Sequence, residues 1–490
     1  MFKIILTIGI FQVLAVFIQF IKSKVVAVYL GPAGVGIVGT IDQFVQLAAF
    51  VSVFGFPAAS IKFLSKAHSE SEDAFKRSCA GFFKSLLFLS AAGAFLIIAA
   101  ILLKPNLLGA ELEKYKLFVM LGLLTLPTFS LTALFGNVFA ASQKFKASSL
   151  LFLMTGAVSA VAAVAGVIYA DIFGLYVGNL LAGVFVIAAV MIYFREKLGL
   201  SFYDRQTNII KEFKSNPAIF STALLLYLSA ITASLSYLTA RYAVLANFGE
   251  TQAGLLHAAL VLAFAFGTAL YPAINIYLNP LVNRNAEREI KIRQAIQFQR
   301  KLALMLSAAA MPILMFPKLM LTIMFSEKFA GVGETVYLFV LSQFIVQLAG
   351  VYQSLLVGLD DVKSYTFITS ATQIVSAGMC LLLVPHYGIR GAALGFLIGN
   401  SLNFAVCLIW LIVKYKFSVA PQIGFLLGYI FIVLFLTGLI CGQFAEWDII
   451  IVSVKIAVLL LFGGSLFLFL NGEEKASLNV LRRKIFSEKS

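Results

Sequence analysis

Apolar stretches of about 20 residues recur from one end of the chain to the other, parted only by short polar segments. Each stretch is long enough, at about 1.5 Å per residue, to cross the ~30 Å hydrocarbon layer of a bilayer as a helix. Lipid satisfies no backbone hydrogen bonds, so a chain of such stretches has few options besides a bundle of membrane-spanning helices. Composition agrees. The 490 residues are 61% hydrophobic and 12% charged, with a mean hydropathy of +0.98. Soluble domains carry about 25% charged residues, and no soluble core could hide this much apolar surface. The expected fold class is an all-α polytopic membrane protein.

The pattern predicts fourteen helices, near residues 4–29, 35–61, 79–103, 117–141, 147–169, 172–194, 218–246, 252–280, 301–324, 335–358, 365–384, 391–413, 423–443 and 449–470. The first apolar run, Ile4 to Ile21, lacks a small-residue cleavage site and reads as a retained helix rather than a signal peptide. Net charge is +15, with a pI near 9.5. Such a balance can signal nucleic-acid binding, but here the basic residues sit in short loops between apolar spans, which argues against that partner. They are also one-sided. One set of loops and tails holds most of the 37 Lys and Arg, while the opposite set holds only Lys104, Lys114, Lys116, Lys318, Lys328 and Arg390. The positive-inside rule then places both termini in the cytoplasm. Cys79, Cys380, Cys407 and Cys441 are scattered through apolar stretches and the three histidines lie far apart, so neither a metal site nor a cofactor is expected.

The chain also resembles itself. Gly31-Pro-Ala-Gly-Val-Gly36 aligns with Gly249-Glu-Thr-Gln-Ala-Gly254 at an offset of 218. Asp171-Ile-Phe-Gly-Leu-Tyr-Val-Gly178 aligns with Gly388-Ile-Arg-Gly-Ala-Ala-Leu-Gly395 at 217, as does the loop 141–146 with 358–363. Nearly equal offsets over so long a stretch predict a duplicated six-helix unit, 1–194 and 218–413, joined by a charged linker at 195–217. An even number of spans per unit makes the copies parallel, related by a pseudo-two-fold along the membrane normal. In transporters of this kind the substrate sits between the halves. Residues 414–490, a further hairpin and a basic tail, lie outside the repeat.

Several local patterns occur together: Lys24 seven residues before the Gly-Pro-Ala-Gly-x-Gly turn, Gln43 beyond it, and Ile61-Lys-Phe-Leu-Ser-Lys-Ala-His68. They are joined by Tyr277-Leu-Asn-Pro280 and Ser326-Glu-Lys-Phe329. In this order and spacing the chain, over roughly 1–413, resembles the Wzx-type O-antigen and lipid-linked oligosaccharide flippases. These form the polysaccharide-transport family of the MOP (multidrug/oligosaccharidyl-lipid/polysaccharide) exporter superfamily. The resemblance implies two six-helix lobes around a central cavity in a bacterial inner membrane, and a role in O-antigen and lipopolysaccharide biosynthesis. It implies an undecaprenyl-diphosphate-linked oligosaccharide as cargo, flipped from the inner to the outer leaflet. Membrane lipids, a polysaccharide polymerase and chain-length machinery are the partners it suggests. Relatives ending near the twelfth helix leave the hairpin at 423–470 without a role.

Ionisable groups inside a bilayer are costly, and each is a functional candidate. Lys24 lies about 10 Å below Gly31 and Arg241 about 12 Å below Gly249. Under the 218 offset Arg241 maps to Ser23, between Lys22 and Lys24. Basic groups at matching depth suit an anionic cargo, because Arg pairs two phosphate oxygens at once and Lys acts as a point charge. Lys22 and Lys24 point about 200° apart on a regular helix, so both face one cavity only if that helix is broken. Asp42 stands at a depth close to that of Lys24, and the two could simply neutralise each other. Arg241 has no intramembrane acid near it in sequence. Lys62 reads either as an interfacial anchor or as a residue that admits substrate, and His257 either as a satisfied polar contact or as a proton switch. Amides in the spans, Gln43 among them, can replace water around sugar hydroxyls or bond helix to helix.

The alternative to a flippase is a cation-coupled multidrug or small-molecule exporter of the same superfamily. Such pumps usually use intramembrane carboxylates, of which the spans offer only Asp42. An enzyme is not expected: no long loop could carry a polymerase site, and no nucleotide-binding Gly-rich loop is present.

Overall fold

The computed structural model describes residues 2–142, 144–199, 217–273, 278, 282, 287–417, 421–441 and 449–469. It is all helical in its regular structure over these residues. The order is α1 (Phe2–Val53), α2 (Phe56–Glu70), α3 (Glu72–Leu103), α4 (Gly109–Glu113), α5 (Lys116–Leu123), α6 (Leu126–Ala141), α7 (Phe145–Leu198) and α8 (Pro217–Ala273). It continues with α9 (Arg288–Met315), α10 (Pro317–Met324), α11 (Gly333–Gly358), α12 (Val362–Tyr387), α13 (Ile389–Tyr415), α14 (Pro421–Cys441) and α15 (Ile449–Leu468). Among the described residues nine helices are long and apolar enough to cross a membrane, or up to ten if the bent pair α9–α10 is one span. Large apolar side chains such as Phe88, Phe95, Phe367 and Leu461 stand mostly exposed. That arrangement is stable against lipid tails and costly against water.

The longest helices double back. Residues Arg241 and His257 touch although sixteen residues of straight helix would hold them about 24 Å apart, so α8 reverses at Gly249 (φ 80, ψ −178). Lys22 and Asp42 line one cavity, which requires the same of α1 at Gly31 (φ 64, ψ −177). In α7 a Cβ on Gly166 would strike the backbone of Gly174, and one on Gly178 the backbone of Ala162. The arms therefore run antiparallel about Ala170 and Asp171 (φ 48, ψ −135). Helices α12 and α13 pair likewise, with Gly391 against Leu383, Gly395 against Cys380 and Gly399 against Ser376 around Gly388 (φ 56, ψ −133). Small residues let these backbones approach closely.

The breaks recur in matched conformations. Gly31 and Gly249, Asp171 and Gly388, and the left-handed helix ends Gly199 (φ 58, ψ 24) and Lys416 (φ 53, ψ 36) are each separated by 217 or 218 residues.

Several expected helices are interrupted. The one expected at 35–61 stops at Val53, where Phe54 (φ 41) and Gly55 (φ 80) turn left-handed, and restarts with Pro57 in its first turn. The one at 117–141 breaks before Pro127, which enters the first turn of α6. The one expected from 301 begins at Arg288 and bends by 87° between Met315 and Pro317. Proline lacks an amide hydrogen and crowds the preceding turn, which accounts for the last two breaks. Most of the expected linker, 200–216, lies outside the described residues. Buried apolar side chains form one large cluster centred on α1, α8, α11 and α13, and a smaller one from α2, α3, α6 and α7.

Candidate functional site

The second arm of α1 runs alongside the first arm of α8, and side chains between them open into a cavity of about 320 Å³. Arg241, His257, Asp42 and Gln43 all line it, together with Gln46 and Thr125. Arg241 is 6% exposed. Its Nη1 lies 2.9 Å from Nδ1 of His257. A guanidinium only donates, so Nδ1 accepts, and His257 is neutral with its proton on Nε2. Gly39 makes room for this pair, since a Cβ there would collide with both side chains. The Arg241 Nε is buried with no hydrogen-bond partner among the described residues. A buried unpaired donor on a cation is expensive, which marks it as a group in want of an acceptor.

Asp42 also opens into a second cavity, of about 570 Å³, lined by α1, α5, α6 and α7. Lys22 lies on its wall. Its Nζ donates to Oγ of Ser159 at 3.2 Å and to Oδ1 of Asn179 at 3.4 Å. Ser159 donates to the same Asn179 oxygen at 3.0 Å, and Tyr176 donates to Oδ1 of Asp42 at 3.0 Å. Thr128, Thr132 and Thr155 line the rest with hydroxyls, although each also donates back to a carbonyl of its own or the adjoining helix. Asp42 thus stands between Lys22 and Arg241, within electrostatic reach of both. Arg241 is therefore not remote from acid as the sequence order suggests. The carboxylate comes from α1, distant in sequence, across its contact with α8.

Gln43 donates to Oγ of Ser234 at 3.0 Å and to Oε1 of Gln46 at 3.0 Å, tying α1 to α8. Lys24 goes elsewhere. Its Nζ donates to the Thr322 carbonyl in α10, and it lines neither cavity. Among the described residues it forms no ion pair with Asp42. The helix is unbroken between Lys22 and Lys24, so the two lysines diverge as the helical period requires. The side chain of Lys62, on α2, lies outside the described residues. Lys455, in α15, is 3% exposed. Its Nζ donates to the Cys441 carbonyl at 3.3 Å and sits 5.3 Å from the Phe316 ring.

Tyr176, Ser159 and the threonines carry no sequence signal: single hydroxyls in apolar spans have no distinctive spacing. The amides away from the cavities mostly join helices. Gln353 bonds Asn403 at 2.9 Å, Asn403 bonds Thr372 at 2.8 Å, and Asn400 bonds Ser342 at 2.8 Å.

Comparison with known proteins bears on this arrangement. No curated protein matches the chain. Among solved structures, one described as the lipid II flippase MurJ in an inward closed conformation is similar with a TM-score of 0.68 at 14% identity, over 95% of this chain and 99% of that one. An inward-facing multidrug resistance MATE transporter of the MOP superfamily gives 0.67 at 14% identity, over 83% and 94%. An outward-facing MATE transporter gives 0.53 at 16% identity, over 84% and 96%. At these identities the likeness concerns the fold, a polytopic helical membrane architecture. A family model described as "Polysaccharide biosynthesis protein" matches residues 2–277, which include every residue of the Asp42–Arg241 cavity. The chain therefore belongs to the polysaccharide biosynthesis protein family.

Proposed function

We propose that the chain is a flippase carrying an undecaprenyl-diphosphate-linked oligosaccharide, an O-antigen or related repeat unit, from the cytoplasmic to the periplasmic leaflet by alternating access. In this reading residues 1–194 and 218–413 are two six-helix lobes, and the cavities between and beside α1 and α8 receive the cargo. Arg241 carries the proposal. It is a buried cation whose Nε has no hydrogen-bond partner among the described residues, set in a cavity whose other polar groups are the His257 imidazole, amides, a hydroxyl and a single carboxylate. A diphosphate offers the acceptors that Nε lacks, and it cannot cross hydrocarbon uncompensated. The amides of Gln43 and Gln46 and the hydroxyl of Thr125 suit the first sugar hydroxyls.

Asp42 enters the reading as the group that holds Arg241 and Lys22 when no anion is bound. A diphosphate arriving at Arg241 would compete with that carboxylate. In this reading both termini lie in the cytoplasm, which the one-sided distribution of basic loops supports.

Substitution of Arg241 by Gln is expected to leave membrane level and melting temperature near those of the parent. It should reduce surface glycan in a cell dependent on this chain by about 100-fold, the effect of losing ~3 kcal/mol of a charge-assisted pair. Unchanged glycan at native expression would sink the assignment. The second reading, a cation-coupled exporter of small molecules, is favoured by one observation, a carboxylate exposed to both cavities. Under it, Asp42→Asn would abolish export of a cationic dye driven by an imposed proton or sodium gradient. The flippase reading expects no dye export from the parent chain at all.

A further inference from the structure

We propose that a pocket between the start of α9 and the end of α13 is a binding site for the phosphate of an anionic membrane phospholipid. The pocket has a volume of about 580 Å³ and lies apart from both cavities of the central site. Arg288, Arg293 and Lys416 project at its walls, with Glu289 as its one carboxylate, and Ile292 and Ile296 give it an apolar lining. Residues 288–289, 292–293 and 296–297 follow one another at intervals of four, so they share one face of α9. Among the described residues none of the three cations has an ion-pair partner. All three are exposed. Cations over an apolar wall, at the end of the helices where the basic loops cluster, match an anionic headgroup with its acyl chains alongside.

A comparison within the chain separates this site from a general excess of positive loops. Lys416 ends α13 in the left-handed conformation, φ 53 and ψ 36. The residue at the same offset in the first half is Gly199, which ends α7 with φ 58 and ψ 24. Both cap amides bond back to the carbonyl five residues earlier, Phe194 and Leu411. The backbone is the same, and glycine is the residue this conformation favours. In the first half the neighbouring cation is Lys76, near Gly199, and Glu72 neutralises it at 2.7 Å. In the second half the strained position carries a lysine, and the facing arginines have no ion-pair partner among the described residues. A side chain kept where the backbone disfavours it points to a use for that side chain.

The test is native mass spectrometry of the purified full chain titrated with phosphatidylglycerol, with phosphatidylcholine and with undecaprenyl diphosphate. The parent should retain phosphatidylglycerol over phosphatidylcholine. Lys416→Gly and the pair Arg288→Gln with Arg293→Gln should weaken that retention by about fivefold for each cation removed. Lys416→Gly should melt at the same or a higher temperature, because it relieves strain, so its loss of lipid cannot be ascribed to unfolding. Lys76→Gln should retain lipid as the parent does. Equal retention in parent and Lys416→Gly would overturn the site. So would cation-dependent retention of undecaprenyl diphosphate without phosphatidylglycerol, which would make the pocket a station for cargo.

Discussion

Asp171 pays a backbone cost that its counterpart avoids. Its φ of 48 and ψ of −135 fall where an L side chain is crowded, and the matching residue in the second half, in the same conformation, is Gly388. Such a conformation costs of the order of 1–3 kcal/mol for a residue with a Cβ, and glycine relieves it at about 0.5–1 kcal/mol of added chain entropy. Asp171→Gly is therefore expected to stabilise the protein by about 1 kcal/mol, read as a rise in melting temperature in detergent. A fall would mean that the Asp171 side chain holds the turn by contacts that outweigh its strain. The residue scale also limits what the sequence discloses about the site. Arg241, Asp42 and His257 stand out as ionisable groups in apolar spans, and the structure does gather them. Tyr176 and Ser159 complete the network through ordinary hydroxyls, which no pattern distinguishes from the many that bond back to their own helix.

Helices α12 and α13 are clasped at one end by a single carboxylate. Asp361 accepts from Nζ of Lys414 at 2.8 Å, from Nε1 of Trp410 at 3.0 Å, from the Tyr415 hydroxyl at 3.0 Å and from the Ser364 hydroxyl at 2.7 Å. Burial pushes its carboxyl up, but the hydrogen bonds from Lys414, Ser364, Trp410 and Tyr415 outweigh it and hold the group at about 2. A carboxyl held below its ordinary value of about 4 contributes stability that is complete above that pH and lost as the pH falls toward 2. Asp361→Asn should cost about 1–2 kcal/mol, since Lys414 is half exposed and solvent screens its share. The melting-temperature gap between parent and variant should be constant from pH 8 to pH 5 and close toward pH 2. A gap that persists there would assign the clasp to shape rather than charge. At the scale of elements the sequence is most legible at the hairpin turns, because Gly31, Gly249, Gly388 and the small-residue faces impose them locally. It is least legible where one helix is cut in two. The break at Phe54–Gly55 and the 87° bend at Pro317 lie inside unbroken apolar runs, and hydrophobicity cannot register a change of direction. A proline read as a kink and a glycine read as a left-handed stop would have marked both.

Across the whole molecule, the α1 and α8 hairpins meet at their turns with no room to spare. A Cβ on Gly36 would collide with the backbone of Glu250 and Gly254, and one on Gly254 with that of Pro32. Tyr115 donates to Glu250, and burial, then Glu250, push its phenol up to about 12, so it keeps the proton it donates across the physiological range. The Tyr242 hydroxyl closes on Gly109. Under the alternating-access proposal these contacts are the seal on the periplasmic side, and transport requires them to part. Gly36→Leu should wedge them, because overpacking a close backbone contact costs about 1–3 kcal/mol. Only the sealed state bears that cost, so the equilibrium shifts toward the state open at the turns by about tenfold or more. The readout is a cysteine at Gln46, which lines the cavity, in a chain whose four native cysteines are replaced by alanine. A membrane-impermeant maleimide applied from the periplasm should label it slowly in the parent and about tenfold faster with Gly36→Leu. Equal rates would show that the turn contacts do not gate the cavity. Faster labelling from the cytoplasmic side alone would reverse the orientation read from the basic loops, and with it the direction of transport.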